Sequence, residues 1–327
     1  MLSMPASRYV FYPVTWYSVC IVTGAFLAIW LAAREEKRAG LKKDTIIDLA
    51  LWLLPIGILG ARLYYVIFSW DQFRGDLLSV FRIWEGGLAI YGGIIAGLIT
   101  VLVFCRKRKL PPLLLCDLIA PGLALAQAIG RWGNYFNMEA YGLPMENPAL
   151  CFFPLAVQIP EASGNVWHMA TFFYESMWNL GIFVFLMILR RKKPLRRGDV
   201  FFIYAFCYAA GRLWIEDLRM DSLYATSSVR VSQLLSILVC AGIFLRYWML
   251  SARTGQHSPL RRWAVAVPAL GGTGLALWYA RAGSLPFTDT VGRRVLFLIL
   301  YSLGMILCLK LIFPRASEVE THADNAP

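Results

Sequence analysis

Apolar and polar positions along this 327-residue chain change over in long blocks, not residue by residue. Apolar runs occupy 16–33, 46–70, 88–105, 112–129, 172–189, 200–215 and 231–250, close to the length a helix needs to cross the roughly 30 Å hydrocarbon layer of a bilayer. Two more, 264–280 and 295–313, follow them. Each run predicts a helix, because only a helix satisfies all its backbone groups on its own in lipid. The expected fold is an all-α integral membrane protein, a polytopic helical bundle of seven core transmembrane helices plus two extra C-terminal ones. The chain divides accordingly into a membrane domain at 1–250 with an outward-facing loop at 135–170, an extension at 251–315, and a disordered polar tail at 316–327.

Composition agrees: 58% of residues are apolar and 16% charged, too much apolar surface for one soluble core. The net charge of +12 raises the question of nucleic acid, but the distribution of the charge answers it. Basic residues cluster at 34–43, 106–109, 190–197 and 246–262, after the first, third, fifth and seventh runs and so on one side of the membrane. The positive-inside rule makes that side cytoplasmic. The loop at 135–170 has no Lys or Arg and faces outward. No nucleic-acid partner is expected. "MLSMPASRYVFYP" lacks the order of a cleavable signal peptide, so the first run is expected to be retained, with the N-terminus outside and the C-terminus cytoplasmic. Arg281, Arg293 and Arg294 fit this pattern less well, since they fall in the outer loop of the extension. Seven cysteines without a CxxC pair suggest neither a metal site nor a disulfide framework.

This topology places the unusual polar residues by depth. Arg131, Asn134, Asn137 and Glu139 follow at the outer end of the fourth run, Arg212 and Glu216 lie near the outer end of the sixth, and Tyr17, Arg62 and Tyr91 reach the same level from the first three. Charges at such depth usually mark a site, since each costs several kcal/mol in hydrocarbon. Arg212 and Glu216, four apart, share one helix face and can pair. Gly86, Gly87, Gly92 and Gly93 permit close approach, either of a ligand or of another helix. Gly130 and Gly133 allow a break in the fourth helix that would bare N–H groups for an anion. The physical reading is a positively charged pocket open to the outer leaflet, suited to a phospholipid headgroup.

The stretch "GRWGNYFNMEAYG" resembles the signature of the prolipoprotein diacylglyceryl transferases of the bacterial inner membrane. "TWYS", "GARLYYVIF", "WEGGLAIYGGIIAG", "FFYESMWN", "GRLWIEDLRMDSL" and "RVSQLLS" resemble family segments in family order, over roughly 15–250. The resemblance implies transfer of the diacylglyceryl group of phosphatidylglycerol to the lipobox cysteine thiol of a prolipoprotein signal peptide, with a thioether formed, glycerol 1-phosphate released and no cofactor. It makes 1–250 the transferase domain. It implies that Arg131 and Asn134 are the essential pair of the signature, completed by Glu139 and Gly142, that Arg212 and Glu216 are the second arginine and carboxylate, and that Tyr17 is the essential first-span tyrosine. The catalytic set expected is thus Arg131, Arg212, Glu139, Glu216 and Tyr91. Tyr17, Arg62, Gly92, Gly93, Asn134, Asn137 and Gly142 are expected to bind substrate.

One departure bears on mechanism. Where the family frequently carries a histidine proposed as the base, this chain has Tyr91. The thiol base is then left among Glu139, Glu216 and the field of the arginines. His168 reads as a loop histidine. Rival readings are a catalytically inactive lipid-binding relative, for which Tyr91 speaks, and a lipid transporter, against which the absence of a visible repeat speaks.

Overall fold

The computed structural model of the protein describes residues 7–12, 14–161, 164–192, 195–224, 230–283, 285–286, 288 and 290–313. The tail expected at 316–327 lies outside them. Every apolar run becomes a helix: α1 (Trp16–Glu35), α2 (Thr45–Phe68), α3 (Ile90–Arg108), α4 (Pro112–Asn137), α5 (Thr171–Lys192), α6 (Asp199–Leu218), α7 (Val231–Thr254), α8 (Pro259–Ala282) and α9 (Val291–Ile312). Among the described residues, eight of these helices are long and apolar enough to span a membrane. The protein is a polytopic helical membrane protein. The helix that falls short is α6, because Arg212, Glu216 and Asp217 crowd its last turns. Two antiparallel strand pairs that the block pattern did not predict accompany the helices among the described residues: β1 (Tyr9–Phe11) with β2 (Val14–Thr15) before α1, and β3 (Ala156–Glu161) with β4 (Gly164–Met169) between α4 and α5.

The chain forms two compact units, one of Ala28–Ile119 and one of Met1–Leu27 with Ala120–Pro327. In the first, α2 and α3 run side by side with glycines at the seam. A Cβ on Gly92 would collide with the Gly60 carbonyl and the Tyr64 side chain, while one on Gly93 would meet Gly57 O at 3.5 Å. The close approach anticipated at these glycines is therefore made by a helix, as is usual where small residues let backbones meet in lipid. Arg62 is buried, and its guanidinium donates to the carbonyls of Ser79, Val80, Gly86 and Gly87 at 2.6 to 3.0 Å. It fastens the irregular segment between α2 and α3 and has no donor to spare for a headgroup. Glu36, also buried, accepts from the N–H groups of Asp44 and Ile46 at 3.0 and 2.5 Å, which satisfies the start of α2.

In the second unit α6 lies between α5, α7 and α9. Its apolar side, Phe206, Ala210 and Leu213, shares a core with Ile237 and Phe244 of α7, Ala269 of α8 and Met305 of α9. The first half of α1 packs on α4, where the Cα of Ala126 would sit 3.1 Å from a Cβ on Gly24. The break expected at Gly130 and Gly133 does not occur. The ring of Tyr17 fills the space a Gly133 side chain would need, and α4 runs on unbroken to Asn137. The chain leaves α4 through Met138 in the left-handed region (φ 54), with the Glu139 N–H returned to Asn134 O at 2.9 Å.

Gly92→Ala is expected to destabilise the protein by about 1–3 kcal/mol through overpacking. Gly181→Ala, a helical glycine with nothing within 4 Å of its would-be Cβ, is expected to be neutral or stabilising. Thermal unfolding in detergent measures both.

Candidate active site

The last turns of α4 and α6 and the early turns of α5 meet at one end of the larger unit, and each brings charge. Glu175, on α5, is buried. Its Oε1 lies 2.5 Å from Nη2 of Arg131 on α4, and its Oε2 accepts from Nη1 of Arg212 on α6 at 2.9 Å. The other Arg212 nitrogen, Nη2, is 2.5 Å from Oε2 of Glu216, one turn further along the same helix. Arg219 approaches Glu175 at 3.7 Å and holds Asp221 with two contacts, at 2.6 and 2.9 Å.

Helix polarity favours this layout. Glu175 sits near the positive N-terminal end of α5, and Arg131 and Arg212 near the negative C-terminal ends of α4 and α6. Exposure is uneven in a way that matters: the Arg131 and Arg212 side chains keep 20% and 16% of their surface, while those of Glu175 and Glu216 keep 3% each. The carboxylates aim the arginines from below, and the cationic faces remain reachable. A planar guanidinium held this way suits a phosphate. Beyond α6, burial would raise the Asp221 carboxyl, but the hydrogen bonds and charge of Arg219, with Arg212 farther off, outweigh it and hold the group below its ordinary value.

Arg131, Arg212 and Glu216 are thus brought together as the sequence suggested, and the Arg212–Glu216 pair forms. Tyr17 lies against Gly133, one residue from Asn134. Asn137 keeps a buried Oδ1 with no hydrogen-bond partner among the described residues. Glu139 stands apart from the arginine cluster. It is exposed past the Met138 turn, in a shallow pocket with Tyr135, Tyr141 and Gln158. Gly142 offers no free group: its N–H donates to Met169 O and its carbonyl accepts from His168, while a Cβ there would press on Leu218 O and Met169. His168 belongs to β4 and not to a loop. Fully buried, it spends its second nitrogen on Glu161 at 2.9 Å and is structural. Arg62, Tyr91, Gly92 and Gly93 belong to the smaller unit, where the Tyr91 ring lies 6.4 Å from that of Tyr64.

Sequence reasoning missed Glu175, the carboxylate that joins the two arginines. Its signal was present, as an acidic residue inside an apolar run needs a partner. The stretch "FFYESMWN" was legible as a motif, but the pairing spans α4, α5 and α6 and spacing within one helix cannot reveal it.

A polytopic helical membrane protein with paired arginines over buried carboxylates at one end of its larger unit belongs to the class of membrane proteins with a cationic site suited to an anionic group. Comparison narrows it. The family model described as prolipoprotein diacylglyceryl transferase matches residues 6–248, and the chain belongs to that family. Among its relatives is the phosphatidylglycerol–prolipoprotein diacylglyceryl transferase of Enterococcus faecalis, 46% identical over 69% of this chain and 83% of that one. Those of Oceanobacillus iheyensis and Halalkalibacterium halodurans are 45% identical over 68% of this chain and 79% of theirs, and 41% identical over 74% and 84%, respectively.

Replacing Glu175 by Gln leaves two arginines without their common anion and is expected to cost about 3–5 kcal/mol of stability. A double-mutant cycle with Arg131→Gln, read by thermal unfolding in detergent, is expected to give a coupling of at least about 0.5 kcal/mol. A coupling near zero would show that the pair is not formed.

Proposed function

We propose that this protein transfers the diacylglyceryl group of phosphatidylglycerol to the thiol of the lipobox cysteine of prolipoproteins. The cysteine sulfur forms a bond to the terminal glycerol carbon of the diacylglyceryl group. The bond from that carbon to the phosphate oxygen breaks, glycerol 1-phosphate leaves, and the thiol proton passes to a base. The observation that carries this reading is the pair Arg131 and Arg212 fixed on Glu175, with cationic faces open and anions buried. Negative charge grows on the departing phosphate oxygen, and pre-set donors there stabilise the transition state without reorganising. Asn134 and Tyr17, grouped at Gly133, hold the headgroup in line for attack.

The base is assigned among the carboxylates by their surroundings. Glu216 is buried and its carboxylate is already engaged by Arg212. Glu139 is exposed and forms no ion pair with the arginines among the described residues, so it is the carboxylate assigned to take the thiol proton. The basic blocks at 34–43, 106–109 and 190–197 favour placement in the bacterial cytoplasmic membrane with the arginine pair at the outer leaflet, the N-terminus outside and the C-terminus in the cytoplasm.

Purified protein given phosphatidylglycerol and a peptide with a lipobox cysteine is expected to yield a diacylglyceryl peptide and glycerol phosphate by mass spectrometry. Absence of both products, with a relative active in the same assay, overturns the reading. Arg131→Ala and Arg212→Ala should each lower turnover by about 10²–10³-fold. For Glu139→Gln the expected loss is about 10²-fold or more near neutral pH, narrowing as pH rises toward the thiol pKa of about 8.5, where the cysteine ionises unaided.

A further inference from the structure

The helices α8 and α9 lie beyond the family match at 6–248, and their sequence carries no cluster of site residues. Yet they reach the turn of α6 that holds the arginine network. Tyr279, in the last turn of α8, donates to Oδ1 of Asp217 at 2.6 Å, and Nε of Arg294, in the first turn of α9, lies 3.4 Å from Oδ2. Arg230, at the N-cap of α7, donates to the same Oδ1 at 2.8 Å and to the Glu216 carbonyl at 3.0 Å. Ser302 of α9 donates to the carbonyl of Ala210 at 2.9 Å, two residues before Arg212. Arg230 and Arg294 both stand at helix N-termini, where the dipole disfavours a cation, and Asp217 offsets both.

Asp217 is next to Glu216, about 100° further round α6. One side of α6 therefore carries Arg212 and Glu216 toward α5, while the side bearing Ala210 and Asp217 is gripped by α7, α8 and α9. A helix is stiff, so the angle set on one side is the angle presented on the other. At a radius of about 5–6 Å, a turn of 20° shifts a side chain by about 2 Å. A misplacement of about 1 Å can cost 10²-fold in rate.

We propose that the C-terminal extension sets the rotation of α6, with Tyr279, Arg294 and Ser302 as positioning residues that aim Arg212 and Glu216. This rests on the transferase reading above. The test uses the full-length protein carrying Tyr279→Phe and Arg294→Gln together, with Arg294→Lys as the conservative variant. Two quantities are read on folded protein: kcat and KM for phosphatidylglycerol, and the fluorine NMR resonance of fluorotryptophan at Trp178. The Trp178 ring donates to Cys207 O at 2.9 Å and fills the space beside Gly211, so it reports the turn that carries Arg212 from the α5 side.

The expected result is a fall in kcat of about tenfold or more with KM within about twofold, a displaced Trp178 resonance, and recovery of both by Arg294→Lys with Tyr279 intact. Either change alone, or neither, overturns the assignment. If the double variant does not fold, Ser302→Ala is judged by the same two readouts. If the unaltered protein itself forms no product, the transferase reading fails, and the Trp178 resonance alone decides whether the extension sets the angle of α6.

Discussion

The charge on Glu175 has to be neutralised, and much of the larger unit is arranged around that constraint. A carboxylate with almost no exposed surface is sustained only by cations close enough to repay its lost hydration. Arg131 and Arg212 supply them from two different helices, so the ion pairs also tie α4 and α6 to α5. The benefit is mutual: an arginine near the end of an apolar helix would otherwise turn toward water or lipid headgroups. Bound from below, each guanidinium instead keeps a fixed orientation and an open face.

Small residues make the approach of the helices possible. Gly211 leaves room for the Trp178 ring, and without it α5 would stand off from α6 at the level of the ion pairs. Gly133 does the same for Tyr17 against α4, and Gly142 lets the chain after α4 thread between β4 and the end of α6. These glycines act by packing and not by baring their backbone to a ligand. They place the polar groups that do the chemistry.

Two carboxylates on consecutive residues of α6 serve different ends. Glu216 faces Arg212, and Asp217 faces away, into a second set of cations from the N-cap of α7 and from α9 with a tyrosine from α8. The extension is thus an integral part of the larger unit, sharing a continuous apolar core with α6 and α7. Of the three arginines of the extension that fit the charge pattern less well, Arg294 stands against Asp217.

The sequence by itself determined the number and approximate limits of the helices, their membrane character, and the candidacy of Arg131, Arg212 and Glu216, because span length, charge blocks and i, i+4 spacing are local properties. It also carried the family resemblance, which lies in contiguous stretches. Only the tertiary structure decided that Glu175 joins the arginines, that Arg62 and Gly142 spend their polar groups inside the protein, that Glu139 stands outside the network, and that Tyr279 and Arg294 meet α6 at Asp217. Each of those contacts links residues far apart in the chain, and whether a charged group is free or spent depends on partners that no single helix contains.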